Sequence, residues 1–392
     1  MLLAYIISFW LLAIAIVIVG WRHELLNLWR EPVYGFPILV IESDDWGPGE
    51  SVQAQALIDI CNRLKEYRDC NGRMPVVTLG LTLAIPDSEK IQANGFTSYE
   101  RKTLLHPEFS GILSAIKNGE KAGVFYLQLH GMEHYWPPAL MRAQEQDASV
   151  RSWMTSDLKT ENLPSHLQSR WSDGSTLPSG RIDEYEIENA ARDECRLFAE
   201  IFGKSSAVAV PPTFDWGLEV ERAWMQQGIR IVITPGLRMH GRDNSGKLLV
   251  RDRNIFNGQV SVSGVTYLVR NNYFEPARGH RAAKVVSDMQ SKTGIGRPLL
   301  LEMHRDNFYI NSMRDSIKEL SAVIEDILKN FPDTRFMNTE ELISNKDIIE
   351  TEFSKRVGMF AARLRKVTGL QKWLKLTGTI FMLGALELVL NK

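Results

Sequence analysis

Cysteine is scarce in this chain, with only three in 392 residues. Cys61, Cys70 and Cys195 form an odd set without metal-type spacing, so the sequence indicates neither a disulfide framework nor a thiolate zinc site. We interpret all three as packing residues of a protein in a reducing compartment. An excess of charge of either sign is also missing, because 46 Lys and Arg face 47 Asp and Glu. Nucleic acid is therefore not an expected partner.

Charge is absent altogether from residues 2–20, which are dominated by Leu, Ile, Ala and Val. A membrane-spanning helix needs about 20 apolar residues. A cleaved signal peptide would have a basic start and a small-residue cleavage site, whereas here there is no basic start and Trp21 follows the run. We therefore predict a retained transmembrane anchor over residues 1–21. Arg22 and Arg30 follow it, and the positive-inside rule then predicts an inner-membrane protein with its body in the cytoplasm.

The next part of the chain contains eight strand-like apolar runs. Several of them are continuous rather than alternating, as expected of strands that are covered on both faces. The runs are residues 36–41, 76–85, 124–129, 207–210, 229–234, 260–269, 298–303 and 335–338.

Helix-like segments alternate with these runs. Residues 184–202 and 220–227 each end at a glycine, and residues 312–330 end before Pro332. Strands that alternate with helices predict an α/β fold with parallel strands, either a barrel or a doubly wound sheet. About eight strands favour an irregular (β/α) barrel of seven or eight strands over residues 32–347.

Residues 135–181 interrupt this alternation with a long polar insertion rich in Trp, Pro and Ser. The insertion begins directly after His134. Long segments of this kind inside compact domains are often lids or binding surfaces. A surface insertion without a role is the alternative.

The C-terminal tail, residues 348–392, is basic and then apolar. Residues 353–375 carry seven Lys or Arg and no acidic residue. Apolar side chains recur among them at helical spacing, at Phe353, Val357, Phe360, Leu364, Val367 and Leu374. A basic amphipathic helix of this kind binds an anionic membrane surface. The apolar residues 376–390 are short for a span, so we expect them to be re-entrant or to pack on the N-terminal helix, with a soluble helical hairpin as the alternative.

Acidic and imidazole side chains follow three of the predicted strands, in residues 41–47, 130–134 and 301–304. In folds with parallel strands, the chemistry is located at the C-terminal ends of the strands. Two His four residues apart, with a carboxylate from another strand, form a metal-ligand set. If a helix follows Leu129, both imidazoles lie on one of its faces. Asp44 and Asp45 are expected to point in different directions, because side chains alternate along an extended chain.

These segments resemble the motifs of the polysaccharide deacetylase family, the NodB-homology domain of carbohydrate esterase family 4. That family has a Thr-Phe-Asp-Asp-Gly strand end, then a His-Ser/Thr-x-x-His segment, and later an apolar strand that ends in Leu-x-His. The corresponding segments here occur in the same order, as Ser43-Asp44-Asp45-Trp46-Gly47, His130-Gly131-Met132-Glu133-His134 and Leu301-Glu302-Met303-His304. The resemblance covers residues 36–342.

The resemblance implies a role for each of these side chains. Asp45, His130 and His134 would bind a divalent metal, with Zn expected first and Co, Ni or Mn as alternatives. Asp44 would be the general base and His304 the general acid.

One feature of the family is missing, namely the Arg on the fourth strand that orients the catalytic Asp. The stretch at residues 208–215 has no Arg. Arg270, Arg278 and Arg305 are the candidates to supply its charge from another strand end. A backbone N–H near Thr213 is expected to help the metal to stabilise the oxyanion.

The predicted function is that of a membrane-anchored, metal-dependent amide hydrolase, which removes an acetyl or related acyl group from an amino sugar in bacterial surface-glycan biosynthesis. A cytoplasmic domain on a membrane favours a lipid-linked or nucleotide-linked precursor as the substrate. The alternatives are a metal-dependent glycan hydrolase of a related barrel type and an inactive barrel that serves as a membrane scaffold. The sequence leaves the oligomeric state open.

Overall fold

The structure is a computed structural model, and it describes residues 2–309, 311–344 and 356–368. The strands are β1 (Ile38–Trp46), β2 (Val77–Leu81), β3 (Ala84–Pro86), β4 (Arg101–Thr103), β5 (Phe125–Leu129), β6 (Val208–Ala209), β7 (Ile231–Thr234), β8 (Arg238–Arg242), β9 (Leu248–Asp252), β10 (Thr266–Val269), β11 (Asn272–Tyr273), β12 (Leu299–His304) and β13 (Arg335–Phe336). The helices are α1 (Leu2–Gly20), α2 (Arg22–Arg30), α3 (Val52–Leu64), α4 (Ser88–Ala93), α5 (Ser110–Lys121), α6 (Pro137–Gln146), α7 (Ala148–Ser152), α8 (Glu184–Phe202), α9 (Leu218–Gln226), α10 (Ala282–Thr293), α11 (Met313–Asn330), α12 (Thr339–Ser344) and α13 (Arg356–Thr368).

Eight strands form one curled sheet in the order β10-β7-β6-β5-β2-β1-β12-β11, and all neighbours pair in parallel. β13 adds a short ninth strand beside the start of β1. The two edge strands, β10 and β11, are consecutive in the chain, with only Arg270 and Asn271 between them. The sheet therefore curls until its two edges are close together, and the chain itself crosses the seam. The predicted irregular (β/α) barrel is confirmed.

The interior of the barrel has an apolar end and a charged end. Inward-facing side chains from the starts of the strands form a separate apolar cluster, which Tyr34 and Leu342 close off. The Tyr34 hydroxyl donates to the Leu342 carbonyl at 3.4 Å. Further along β1, the buried residues that follow at the same period of two are Glu42 and Asp44. An apolar plug thus fills the barrel where the strands begin. Buried charged side chains follow it toward the C-terminal ends of the strands.

The predicted helices agree closely with the structure. α8 spans the predicted residues and ends at Gly203, which has the left-handed φ of 71° that favours a glycine. α9 and α11 differ from the predicted bounds by one or two residues. Their apolar faces pack on the outside of the sheet, in the largest hydrophobic cluster.

Two of the predicted strands differ most from their apolar runs. The run at residues 260–269 is a ladder strand only from Thr266, because residues 261–265 form a turn in which Ser261 donates to the Val265 carbonyl at 2.8 Å. The run at residues 76–85 divides into β2 and β3, because Leu83 and Ala84 leave the sheet and donate to the Met132 carbonyl. The antiparallel hairpin of β8 and β9 was not predicted, since its residues are mostly polar and half-exposed.

The insertion at residues 135–181 folds against the barrel rather than standing apart from it. It contains α6, α7 and short helical turns. Its apolar side chains form a small core of their own together with Ile91 of α4. Its contribution to the candidate site is described below.

α1 and α13 are the first and last helices that the structure describes, and membrane elements were predicted in both regions. α1 has the length and the apolar composition of a membrane span or of a signal sequence, and it is not buried. α13 confirms part of the predicted basic helix. The predicted apolar segment at residues 376–390 lies outside the described residues. Our interpretation of the cysteines as packing residues is wrong for Cys70, which is exposed, whereas Cys61 is buried and Cys195 half-buried.

Candidate metal and catalytic site

The end of β1 sends Asp44 and Asp45 to different sides. The register of β1 against β2 shifts between Ser43 and Trp46, and Asp45 takes a left-handed φ of 69°. Asp tolerates this conformation better than most residues do. Trp46 Nε1 donates to Ser43 Oγ at 2.9 Å across the irregularity. As a result, Asp44 faces the charged interior of the barrel, whereas Asp45 faces two imidazoles.

Three possible metal donors converge at Asp45. Its Oδ1 lies 3.2 Å from His130 Nε2 and 3.5 Å from His134 Nε2. The three ligand atoms lie within 4.8 Å of one another. His130 Nδ1 lies 2.9 Å from the Val210 carbonyl, which only accepts, so this nitrogen carries the proton and Nε2 is free to bind a cation. The donor set fits a divalent metal with three protein ligands and open positions for water and substrate.

The protonation of the three groups also fits a metal site. Burial lowers the pKa of His134 to about 4, so this imidazole is neutral at pH 7. Burial alone would raise the pKa of Asp45, but the hydrogen bond to His130 and the charges of the imidazoles hold it well below its usual range. Burial alone would lower the pKa of His130. The charge of Asp44, together with Asp45, outweighs burial, so the pKa of His130 is raised. The carboxylates of Asp44 and Asp45 thus favour a positive charge beside His130, whether on the imidazole or on a bound cation.

The two imidazoles lie on an irregular loop, so the helix that would have placed both on one of its faces does not follow Leu129. Gly131 has a left-handed φ of 99°. Met132 N donates to Glu194 Oε2 at 3.0 Å, and Glu133 is fully buried in an ion pair with Arg170. These long-range contacts hold the loop, and they bring the ring centroids of the imidazoles to 5.2 Å without helical geometry.

Asp44 is almost fully buried and is held by Arg270. Nη2 of Arg270 donates to Oδ1 at 2.9 Å, and Nη1 donates to Oδ2. The carboxylate also lies against Gly80 of β2, where an added Cβ would be 2.2 Å from Oδ1. Burial raises the pKa of Asp44, but the charge of Arg270 more than offsets this and lowers it. Asp44 is therefore ionised at neutral pH.

Arg270 supplies the charge that the fourth strand lacks. It lies at the seam between β10 and β11 and also donates to Glu42 at 2.6 Å and to Glu302 at 3.3 Å. Three buried carboxylates around one guanidinium keep it charged, and their charges raise its pKa even though burial opposes this. Of the three candidates in the sequence, Arg278 and Arg305 lie instead in the lining of the pocket.

His304, at the end of β12, is held by a carboxylate that we had not predicted as a site residue. Its Nδ1 lies 2.6 Å from Glu275 Oε1, and Glu275 is fully buried and also accepts from Asn307. Burial lowers the pKa of His304, but the hydrogen bond to Glu275 and the charges of the two aspartates raise it to about 9. The imidazole is therefore protonated at neutral pH. A lone Glu in an irregular stretch gave no signal of this role in the sequence.

All five predicted site residues line one pocket of about 210 Å³, namely Asp44, Asp45, His130, His134 and His304. The insertion contributes Thr160, Glu161 and Gln168 to its wall, so it is part of the site region and not a remote surface segment. Thr213 also lines the pocket. Its left-handed φ of 53° and the bond from its Oγ1 to the Gln168 carbonyl at 3.2 Å fix the loop after β6 to the insertion.

No known family model matches the sequence, and no curated protein matches it. Among solved structures, a family 4 carbohydrate esterase from Streptomyces lividans is 9% identical, with a TM-score of 0.35 over 78% of this chain and 92% of that chain. A peptidoglycan deacetylase from Bacillus subtilis is 10% identical, with a TM-score of 0.38 over 84% and 98%. A 4-alpha-glucanotransferase from Thermococcus litoralis is 11% identical, with a TM-score of 0.39 over 79% of this chain and 40% of that chain. Likenesses this distant carry no weight, and the site is interpreted from its own geometry.

Proposed function

We propose that this protein is a metal-dependent amide hydrolase of the polysaccharide deacetylase type, which removes an N-acyl group, in the first place acetyl, from an amino sugar. The observation that carries the proposal is the convergence of three groups of side chains in one pocket. A three-donor cation site lies beside an ionised carboxylate, Asp44, and a protonated imidazole, His304. A metal, a general base and a general acid are together sufficient to hydrolyse an amide.

The proposed metal ligands are Asp45 Oδ1, His130 Nε2 and His134 Nε2. A divalent metal, with Zn as the first expectation, would polarise the acyl carbonyl and lower the pKa of a coordinated water. Asp44 would take the proton from that water, since its pKa is lowered and it lines the same pocket as the three proposed ligands. Arg270 and the backbone of Gly80 hold its carboxylate in one position, which limits the reorganisation needed during the reaction.

His304 would donate a proton to the sugar amine as it leaves. An amine is a poor leaving group unless it is protonated, and an imidazolium within reach supplies this proton. Glu275 fixes the ring through Nδ1, so the other nitrogen, Nε2, is the one that can face the pocket. The N–H of a residue near Thr213 is the proposed additional donor to the oxyanion, because this loop lines the same pocket as the proposed acid and base.

The setting of the reaction is part of the same proposal. α1 is proposed as an anchor in the inner membrane with the barrel in the cytoplasm, and the substrate as an amino sugar of a bacterial surface glycan. The support for this is the length and composition of α1 and the basic residues that follow it.

The experiment that tests the proposal separates metal binding from chemistry. We expect that replacing Asp45, His130 or His134 by Ala removes most of the bound divalent metal, because an open site with three protein ligands does not tolerate the loss of one. Asp44→Asn and His304→Ala should retain the metal and lose hydrolysis by a factor of about 100 to 10,000. Metal content and release of free amine from N-acetylated oligosaccharides are measured on the same preparations.

The matched control is His106→Ala, which removes a half-exposed imidazole outside the pocket and should change neither quantity. Loss of metal in His304→Ala would contradict the role assigned to His304. Full activity in Asp44→Asn would contradict the mechanism. Bound metal in the wild type without release of amine from any acylated sugar would favour the scaffold, and release of reducing ends without amine would favour the glycan hydrolase.

A further inference from the structure

α2 and α13 are far apart in the sequence but pack against each other. The rings of Trp29 and Phe360 meet edge to face, with their centroids 5.7 Å apart. Lys366 of α13 is buried, and its Nζ donates to the carbonyls of Glu31 at 3.1 Å and Pro32 at 2.9 Å. The two helices are therefore held together by the aromatic contact between Trp29 and Phe360 and by the hydrogen bonds of the buried Lys366 amine to the chain directly after α2.

The helix pair is fixed to the end of the barrel where the strands begin. The buried carboxylate of Glu31 accepts from Arg297 Nη2 at 2.7 Å, and Arg297 precedes the start of β12 by two residues. Arg365 Nη1 donates to the Gly294 carbonyl at 3.1 Å, between α10 and β12. The Tyr34 plug closes the barrel at this same end. The candidate site lies at the other end, where the strands finish.

The outer surface of the pair combines large apolar side chains with basic ones. Leu26 is 50% exposed, and Arg22 and Arg30 lie four residues to either side of it, on the same face of α2. On α13, Phe360 is 56% exposed beside its contact with Trp29. Apolar side chains among basic ones on a helix surface are typical of a helix that lies in the interface of an anionic membrane.

A second apolar surface lies next to the pair. The turn before β10 exposes Val262 by 90% and Val260 by 61%. Gly258, at the start of this segment, lies against Pro32, since an added Cβ at Gly258 would be 3.0 Å from Pro32 Cδ. The segment that leads to the exposed valines therefore contacts the chain directly after α2.

We propose that α2, α13 and the turn at residues 259–264, together the membrane base, lie on an anionic phospholipid bilayer and hold the candidate active site on the far side of the barrel. Two features identify a bilayer as the occupant. α1, the candidate span, continues into α2 with only Trp21 between them, so a span ends where the basic and apolar surface begins. The basic residues complement anionic headgroups.

The length of the barrel then separates the bilayer from the site. β12 runs six residues from Leu299 to His304, which corresponds to roughly 20 Å. The conclusion about the substrate rests on the proposed function, because it concerns the acyl group that the site would remove. An amino sugar attached directly to a lipid headgroup does not reach across this distance. The substrate class is therefore an acylated amino sugar in the water phase, and not the sugar next to the lipid in the lipid-linked precursor that the sequence favoured.

The orientation is tested with the full chain in vesicles of phosphatidylcholine and phosphatidylglycerol that contain spin-labelled lipids as quenchers. A fluorophore is attached to a single new cysteine in a Cys70→Ser background, at Leu26→Cys or Val262→Cys in the base and at Glu161→Cys at the pocket. We expect the spin-labelled lipids to quench the fluorophore at both base positions. The fluorophore at the pocket should keep its fluorescence. Quenching at Glu161→Cys, or none at the base positions, would overturn the proposal. Circular dichroism of each variant confirms that it is folded.

A second measurement tests the substrate class. The enzyme in vesicles is given a soluble N-acetylated oligosaccharide, and in a separate experiment an N-acetylglucosaminyl lipid embedded in the same bilayer. We expect amine release from the first only, and release from the second after both are dispersed in detergent. Release from the embedded lipid would overturn the inference. If neither substrate is cleaved under any condition, the proposed function fails, whereas the quenching result still decides the orientation.

Discussion

Gly80 leaves no room for a side chain beside the proposed base. An added Cβ would overlap the Asp44 carboxylate at 2.2 Å and would also lie 3.3 Å from its Cα, so the carboxylate has to leave the position in which Arg270 holds it. We predict that Gly80→Ala lowers hydrolysis by about 100-fold, the cost expected for an ångström-scale displacement of a catalytic group. Bound metal should be retained, and both quantities are measured on one preparation.

The matched control for this prediction is Gly111→Ala in α5. The nearest atom to an added Cβ there is 3.8 Å away, in ordinary contact, and the position is helical. This variant should keep full activity. Wild-type turnover in Gly80→Ala would show that the exact position of the Asp44 carboxylate does not matter.

Glu275 should set the alkaline limit of activity through His304. In the proposed mechanism His304 has to be protonated, and its pKa is about 9, so activity should fall as the pH rises through about 9. Glu275→Gln removes the charge that raises this pKa, and we predict that the alkaline limb of kcat/KM moves to lower pH. Glu161→Gln, also in the pocket wall, is the control and should leave the limb in place. An unmoved limb in Glu275→Gln would mean that another group titrates there.

At the scale of elements, the sequence predicted those helices and strands that are marked by a local pattern of apolar residues or by a terminal glycine. The apolar face of α8 and its terminal Gly203 defined that helix correctly. The continuous runs of β1, β5 and β12 likewise located strands that are buried on both faces. The turn at residues 261–265 was mistaken for strand, because its two valines are apolar without being in a ladder.

The ligands of the candidate site were predictable, but the groups that hold them were not. Asp45, His130 and His134 belong to short motifs, and each motif follows a strand. Arg270 and Glu275 carry no motif, and they reach Asp44 and His304 only because the barrel curls until β10 and β11 meet. Contacts between residues 226 positions apart, as for Arg270 and Asp44, follow from tertiary closure and not from local pattern.

His240 of β8 links the hairpin of β8 and β9 to two other elements, and this link should depend on pH. Its Nε2 lies 3.2 Å from Glu219 of α9, and its Nδ1 lies 3.5 Å from Asp215, which also accepts from Ser169 and Ser172 of the insertion. Burial lowers the pKa of His240, but these two carboxylates outweigh it and raise the pKa to about 9.

A raised pKa in the folded state means that the link stabilises the protein fully below about pH 6.5, the unfolded value, and that this stability is lost as the pH rises through about 9. We predict that His240→Gln lowers the free energy of unfolding by about 2 to 3 kcal/mol at pH 6 and by much less at pH 10. Thermal unfolding in detergent at the two pH values measures this. An equal loss of unfolding free energy at pH 6 and pH 10 would mean that His240 stabilises the protein by packing alone.

At the scale of the whole molecule, the side of the membrane that carries the barrel remains a prediction from Arg22 and Arg30. We expect that a reporter fused after Lys346 shows cytoplasmic activity. The exposed thiol of Cys70 should then stay reduced in cells, as alkylation with a permeant reagent would show. Periplasmic reporter activity would reverse the topology and make a finished polymer the expected substrate.

The crossing of the barrel seam by Arg270 also sets an order of events during synthesis. The three proposed metal ligands all emerge from the ribosome within the first 134 residues, whereas Arg270, Glu275 and His304 follow more than 130 residues later. A growing chain therefore carries the complete donor set well before it carries the residues that position the base and supply the acid. The contacts that fix the donor loop come next, from Arg170, Glu194 and Val210, so the proposed ligands are positioned before the last strands supply the residues that hold the base and the acid.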